Sequence, residues 1–258
     1  MPKNLALLLI LSLCSAGLLQ AQTPKVVASN PASSILKKSV KQMVRLPDSY
    51  AASQQKYPVL YFLQVTDEMV EEIAVLTQKL HKENGTPEMI VVGINVEDKL
   101  ERELGNAVYD KYLSYLEKDL IPSIEKKYRC NGQRVVHGRS LSGSFTLYAM
   151  LSKPTLFNGY IAASKQWYDD NNDYFTGLAN KALQSADKFK DRKIFLASLN
   201  GAYNNNNIPE VNENMTTFAK LLASKSGKKI ASKYQAFDDW GISPYPGFKE
   251  GLLFVAKK

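Results

Sequence analysis

Histidine and cysteine are scarce, with two of each in 258 residues. The histidines are His81 and His137, so a mechanism that needs an imidazole as general base must find it at one of these two positions. A three-histidine metal site is excluded. Long hydrophobic runs are also missing: the apolar stretch from Leu5 to Leu13 is too short to span a bilayer comfortably. Charge is not concentrated in blocks. Lys plus Arg number 33 against 25 Asp plus Glu, a net +8, but the basic residues are scattered and interleaved with acids, so nucleic-acid binding is not expected. There is no internal repeat or long linker, and nothing in the pattern calls for a metal or a cofactor.

What is present is an ordinary globular composition. A hydrophobic content of 45% can bury a sizeable core, which argues against disorder. The first residues stand apart: Lys3, the Leu5 to Leu13 run, then small residues and Ala21-Gln22, the layout of a secretory signal peptide cleaved after Ala21. The alternatives are a membrane anchor, for which the run is short, and lipid attachment at Cys14, which the bulky Leu13 before it disfavours. Residues 1–21 are therefore expected to be removed from an exported protein, periplasmic or secreted, and 22–258 to form one domain with no transmembrane segment. Cleavage takes away Cys14 and leaves Cys130 as the one thiol, so no intramolecular disulfide can form.

Short runs rich in branched or aromatic residues predict strands at 41–46, 59–63, 89–94, 134–137, 160–163, 193–197 and 230–236. Between several of them the apolar spacing is helical, as at Met69, Ile73, Leu76 and Leu80, or Tyr109, Tyr112, Leu116 and Leu120. This alternation predicts an α/β fold, a mostly parallel sheet with helices on both faces. Functional groups in such folds gather in the loops after the strands.

One such loop carries chemistry. In Arg134-Val135-Val136-His137-Gly138-Arg139-Ser140-Leu141-Ser142-Gly143-Ser144, a strand runs into a helix, with Ser140 between the small residues Gly138 and Ser142. That spacing suits a sharp, strained turn that pushes the Ser140 hydroxyl out over the sheet edge as a nucleophile. The Leu141 N–H and the positive helix end would then face the oxyanion of an attacked ester. Alone, the motif is equally compatible with a simple tight turn, since Ser142 stands where a second glycine is usual.

The chain resembles the bacterial putative-esterase family of α/β-hydrolases, which includes enterochelin-esterase-like, feruloyl-esterase-like and mycolyltransferase-like proteins. The resemblance runs through Val44-Arg45-Leu46-Pro47 with Tyr50, Tyr57-Pro58-Val59-Leu60-Tyr61, Ile90-Val91-Val92-Gly93-Ile94, and Leu120-Ile121-Pro122-Ser123-Ile124. It continues through the Ser140 turn to Lys153-Pro154-Thr155-Leu156-Phe157 and Trp167. It implies an α/β-hydrolase fold and places Ser140 at the nucleophile position. By the same resemblance Val65 N–H joins Leu141 N–H as an oxyanion donor, and Gln64, Arg139, Trp167 and Trp240 line the cleft.

Three loops depart from the family pattern. Where the resemblance calls for a histidine after the last strand, the sequence reads Phe237-Asp238-Asp239-Trp240-Gly241, and an indole accepts no proton at neutral pH. Where it calls for an acid after the 193–197 strand, the sequence reads Asn200-Gly201-Ala202-Tyr203 and four asparagines; Glu210 and Glu213 follow, in what also fits the first turn of a helix carrying Met215, Phe218 and Leu222. The Asp-Gly expected beside the oxyanion site is Gln64-Val65. His81 reads as the end of a surface helix stopped by Asn84-Gly85, and His137 as a buried strand residue. Asp169-Asp170-Asn171-Asn172-Asp173 resembles the opening of a calcium loop but lacks its glycine and distal glutamate, and reads as a polar rim loop. Trp167, Tyr168, Tyr174 and Trp240 could form an aromatic wall suited to sugar or phenolic rings. Two functions follow: an exported esterase-like hydrolase with a degenerate triad and weak or absent ester hydrolysis, or a non-catalytic descendant that binds a small ester, an aromatic or sugar ligand, or a protein partner in the former cleft.

Overall fold

Branched and aromatic residues extend where their side chains can be buried on a pleated surface, and all seven predicted strands form. The computed structural model describes residues 26–95, 106–163, 169–199, 208–238 and 247–256. The strands among them are β1 Val27–Ser29, β2 Ala32–Ser33, β3 Lys38–Ser39, β4 Lys41–Arg45, β5 Tyr57–Leu63, β6 Ile90–Asn95, β7 Cys130–Arg139, β8 Gly159–Ala163, β9 Arg192–Leu199 and β10 Ile230–Phe237. β1, β2 and β3 were not expected, since two- and three-residue polar segments carry no readable alternation; they extend because β1 pairs with β4 and β2 with β3.

Eight strands make one sheet in the order β1-β4-β6-β5-β7-β8-β9-β10. β1 and β4 are antiparallel to their neighbours, and the remaining pairings are parallel. The carboxyl ends of the six parallel strands therefore share one edge of the sheet. The helices are α1 Asp67–Asn84, α2 Asn106–Tyr115, α3 Ile121–Lys127, α4 Leu141–Ser152, α5 Asp169–Ala182, α6 Ile208–Lys225 and α7 Phe248–Ala256. Between α2 and α3 the chain widens into a π-turn at Leu116–Leu120, where Ile121 N–H reaches back to Leu116 O. Pro122, which has no N–H to give, follows at once and makes regular α-helical pairing there impossible.

The two sheet faces carry separate cores. One holds Tyr61, Val92, Val136, Tyr160 and Leu196 under α2 to α6, through Leu116, Phe145, Phe175 and Phe218. The other holds Leu60, Phe62, Val91, Ile161 and Phe195 under α1 and α7, through Val70, Ile73, Phe248 and Leu252. β5 is buried along its whole length, as a strand covered on both faces must be. Cys130 is a free thiol at the start of β7, and partial burial raises its pKa to about 11, so it is protonated at neutral pH. No helix among the described residues is long and apolar enough to cross a membrane.

Candidate active site

β7 ends at Arg139, α4 begins at Leu141, and Ser140 makes the whole turn between them with φ 56° and ψ −124°. A non-glycine residue holds such a conformation at a cost of about 1–3 kcal/mol and only where its surroundings enforce it. Three backbone bonds do so: Ser140 N–H donates to Ala163 O at 2.8 Å, and Ser140 O accepts from Gly143 N–H at 2.9 Å and Ser144 N–H at 3.1 Å. The Ser140 side chain makes no capping bond to its own helix, and the residue is half-exposed at the carboxyl edge of the sheet.

Each small residue around Ser140 has a definite role. A Cβ on Gly138 would lie 2.0 Å from Ser142 O and 2.5 Å from Thr146 Oγ1, so glycine is required there for the helix to start over the strand. A further close approach falls on Gly143: a Cβ there would lie 2.5 Å from Ala163 O. Ser142 is fully buried and latches the turn. Its Oγ accepts from Arg139 N–H at 2.9 Å and donates to Arg139 O at 2.8 Å. The sequence held a signal for Gly143, a glycine inside a helix, which marks close packing.

Beside Ser140, the loop after β5 brings Gln64 and Val65. Phe62 pairs with His137 and Leu63 with Ile94, so Gln64 and Val65 leave the sheet at the level where β7 reaches Arg139. Gln64 takes a left-handed φ of 58°, the conformation a glycine would adopt freely, and its N–H is spent on Ile94 O at 2.8 Å. Gln64 N–H is thus unavailable as an oxyanion donor. Val65 N–H and Leu141 N–H, by contrast, have no hydrogen-bond acceptor among the described residues. Val65 is buried, and its methyl group sits over Gly93 of β6, where a Cβ would come within 2.8 Å of Val65 Cγ2 and 2.2 Å of Val70 Cγ2. Gly93 therefore sets how closely the Val65 loop and α1 approach the sheet.

Neither histidine is placed as a base for Ser140. His137 projects from β7 into the core under α7, with its ring stacked on Phe62 at 4.0 Å and edge-on to Phe248 at 5.4 Å. Burial, with a smaller contribution from the Arg139 charge, lowers its pKa to about 3. It is neutral at pH 7 and a very weak base. His81 lies near the end of α1, which leads to the amino edge of the sheet, the opposite edge from Ser140. It is half-buried there, not freely exposed, and its Nδ1 is 2.6 Å from Thr86 O. A carbonyl can only accept, so Nδ1 carries the proton and donates.

Around the end of β9, Ser198 Oγ donates to Asn212 Oδ1 at 2.6 Å and lies 2.7 Å from Tyr234 Oη, which itself reaches Asn212 Oδ1 at 2.8 Å. Reading the sequence did not anticipate this neutral knot, because its members come from β9, α6 and β10. Glu210 and Glu213 are in the opening turns of α6, with Glu213 exposed. Arg139 is exposed at the end of β7. Residues 169–173 open α5 as helix, correcting the rim-loop expectation: a helical backbone satisfies itself where a calcium loop would turn its carbonyls onto an ion. Tyr174 of α5 meets Phe175 edge-on at 5.1 Å. Trp167, Tyr168, Trp240 and the 200–207 segment lie outside the described residues. Among the described residues, no three metal-ligating side chains gather.

The chain is similar to known proteins in sequence and in fold. A sequence profile of the Putative esterase family matches residues 33–249. Ferri-bacillibactin esterase BesA of Bacillus subtilis (strain 168) is 30% identical over 143 residues, 52% of this chain and 47% of that protein. An uncharacterized protein, YbbA, of the same organism is 26% identical over 144 residues, 48% of this chain and 56% of its own. The match thus spans about half the length of these curated relatives. Among solved structures, an IroE-like serine hydrolase from Shewanella oneidensis superposes with a TM-score of 0.72 at 23% identity, over 89% of this chain and 79% of the other. The BES protein from Bacillus cereus does so with a TM-score of 0.66 at 17% identity, over 92% and 97%. At these identities the structures speak for the fold, and the profile, covering most of the length, speaks for descent: the chain belongs to the Putative esterase family, on an α/β-hydrolase fold.

Proposed function

We propose that this is an exported esterase-like hydrolase in which Ser140 retains the nucleophile position of a degenerate triad, so that its hydrolysis of carboxylic esters is weak or absent. The observation that carries this is the strained Ser140 turn flanked by the Val65 and Leu141 N–H groups. In the step this site supports, hydroxide takes the Ser140 proton, Oγ bonds to the ester carbonyl carbon, the carbonyl oxygen takes the negative charge between the two N–H groups, and the C–O bond breaks as the leaving oxygen takes a proton from water to depart as the alcohol. Water then displaces the acyl group from Ser140. What is poorly served is the serine proton: His137 is buried with a pKa near 3, His81 is at the other sheet edge, and the family histidine position reads Trp240. Loss of the base from a serine triad lowers turnover by roughly 10⁴- to 10⁶-fold. The relative named as a ferri-bacillibactin esterase supports an ester as the bond attacked. Export rests on the leader-like residues 1–21.

The test is labelling by a fluorophosphonate probe together with ester turnover against pH. Labelling that is lost in Ser140→Ala is expected, with turnover rising steadily with hydroxide concentration and no plateau above a pKa near 6.5. No labelling would sink the nucleophile reading and favour a ligand-binding descendant; a plateau would reveal a working base. An N-terminus at Gln22 in protein recovered from outside the cytoplasm checks the export.

A further inference from the structure

The carboxyl edge of the sheet holds a second feature besides the Ser140 turn. A cleft of about 530 Å³ opens there, lined by Asn30, Lys38, Ser39, Lys41 and Asn95. That volume is in the range of small-molecule sites, yet each described lining residue is polar and two of them carry ammonium groups. The walls are fixed. Lys41 pairs with Asn95 across β4 and β6, and the β2–β3 hairpin that presents Lys38 and Ser39 is held by Ser33 Oγ donating to Asp119 Oδ2 at 2.6 Å and by the Val40 N–H bond to Pro31 O at 3.0 Å. Lys41 Nζ is committed to Asp67 at 2.5 Å and also interacts with the Glu68 carboxylate. Lys38 is thus the ammonium group of the cleft that has no ion-pair partner among the described residues, and it faces a ring of amide and hydroxyl groups.

Position gives the cleft its meaning. In the strand order β4-β6-β5-β7, Asn95 ends β6, two strands from the strand that delivers Ser140, and Lys41 begins β4, three strands away. With neighbouring strands about 4.8 Å apart, the cleft begins about 10 Å from the β7 end and reaches about 14 Å. Gln64, at the end of β5, lies between the two. A ligand with its ester carbonyl at Ser140 and an anionic group about 10–14 Å away would reach both places at once.

We infer that this cleft receives the anionic end of an extended ester whose carbonyl is presented to Ser140, which makes carboxylate-terminated esters the preferred substrate class. The inference rests on the reading of Ser140 as an acyl-transfer centre, but the cleft can be tested without it. Calorimetry with straight-chain dicarboxylates of six to ten carbons, against their dimethyl esters, reads binding alone. The dicarboxylate should bind, the diester should not, and Lys38→Met should weaken binding about five-fold with Lys38→Arg restoring it, in line with one partly exposed charge contact. Added salt should weaken it too. Turnover of 4-nitrophenyl monoesters of the same diacids, against neutral 4-nitrophenyl esters of equal length, then reads the coupling: kcat/KM should favour the monoacid, and Lys38→Met should erase that preference. Equal binding of diacid and diester, or indifference to Lys38→Met, overturns the cleft. Diacid binding that needs Lys38 but with no turnover of any ester supports the cleft and overturns the hydrolase reading instead.

Discussion

A neutral imidazole sealed between Phe62 and Phe248 makes the stability of this protein depend on pH in a defined way. His137 has no solvent exposure, and its pKa falls from 6.5 to about 3, chiefly because burial penalises the charged form and secondarily because Arg139 is close. In the unfolded chain the same imidazole takes a proton near pH 6.5. Between the two values the unfolded state binds one more proton than the folded state, so acidification favours unfolding. The stability is complete above pH 6.5 and is lost progressively as pH falls toward 3, at a slope of about 1.4 kcal/mol per pH unit. By pH 5 the loss attributable to this residue is about 2 kcal/mol. The perturbation is His137→Leu, which fills similar space without a titrating group. Urea unfolding of parent and variant at pH 7.5 and pH 5 gives four free energies, and taking the difference of differences removes the contribution of carboxylates common to both. The parent should lose about 2 kcal/mol more than the variant over that interval. Parallel losses would refute the reasoning: His137 would then be accessible to protons in the folded state, and it would return as a possible base for Ser140.

Three further outcomes follow from the site. Ser142→Ala removes the hydroxyl that bonds both the N–H and the carbonyl of Arg139, leaving buried polar groups unmet, and should destabilise the fold by about 1–3 kcal/mol in urea melts while lowering the rate of fluorophosphonate labelling. Gly93→Ala places a methyl 2.2 Å from Val70 and 2.8 Å from Val65; the expected loss is about 1–3 kcal/mol, and labelling of Ser140 should slow because the Val65 loop must move outward. On the degenerate-triad proposal, Trp240→His puts an imidazole where the sequence resemblance places one, but Gln64-Val65 and the asparagine-rich 200–207 segment remain. Less than a ten-fold gain in ester turnover is expected, and a gain of several hundred-fold would show that the rest of the site is competent.

The strands and the Ser140 turn could be read from sequence because both are local patterns: alternation over five to eight residues, and small residues packed around a serine between a strand and a helix. β1, β2 and β3 could not, since segments this short extend only when a partner edge pairs with them. Gly143 adds a steric requirement of its own, facing the Ala163 carbonyl of the next strand, and the small, buried Ser142 is in addition a hydrogen-bonding latch. Nothing in the order of residues 138 to 144 says which of the two faces β8.

The sequence by itself determined that only two histidines were available to this serine, because a count does not depend on folding. Tertiary structure decided what those histidines are. His137 stands three residues from Ser140 in the chain, yet Phe62 and Phe248, contributed by remote strands and helices, enclose it and strip it of basicity. His81 is carried by α1 toward the opposite edge of the sheet and tied to Thr86. Likewise Lys38, Lys41 and Asn95 are unremarkable in sequence and become one cleft only when β4 pairs antiparallel to β6. The physical reason is common to all three: protonation and ligand binding depend on desolvation and on distances between side chains, and in a parallel sheet these are set by strands that are neighbours in space and far apart in the chain.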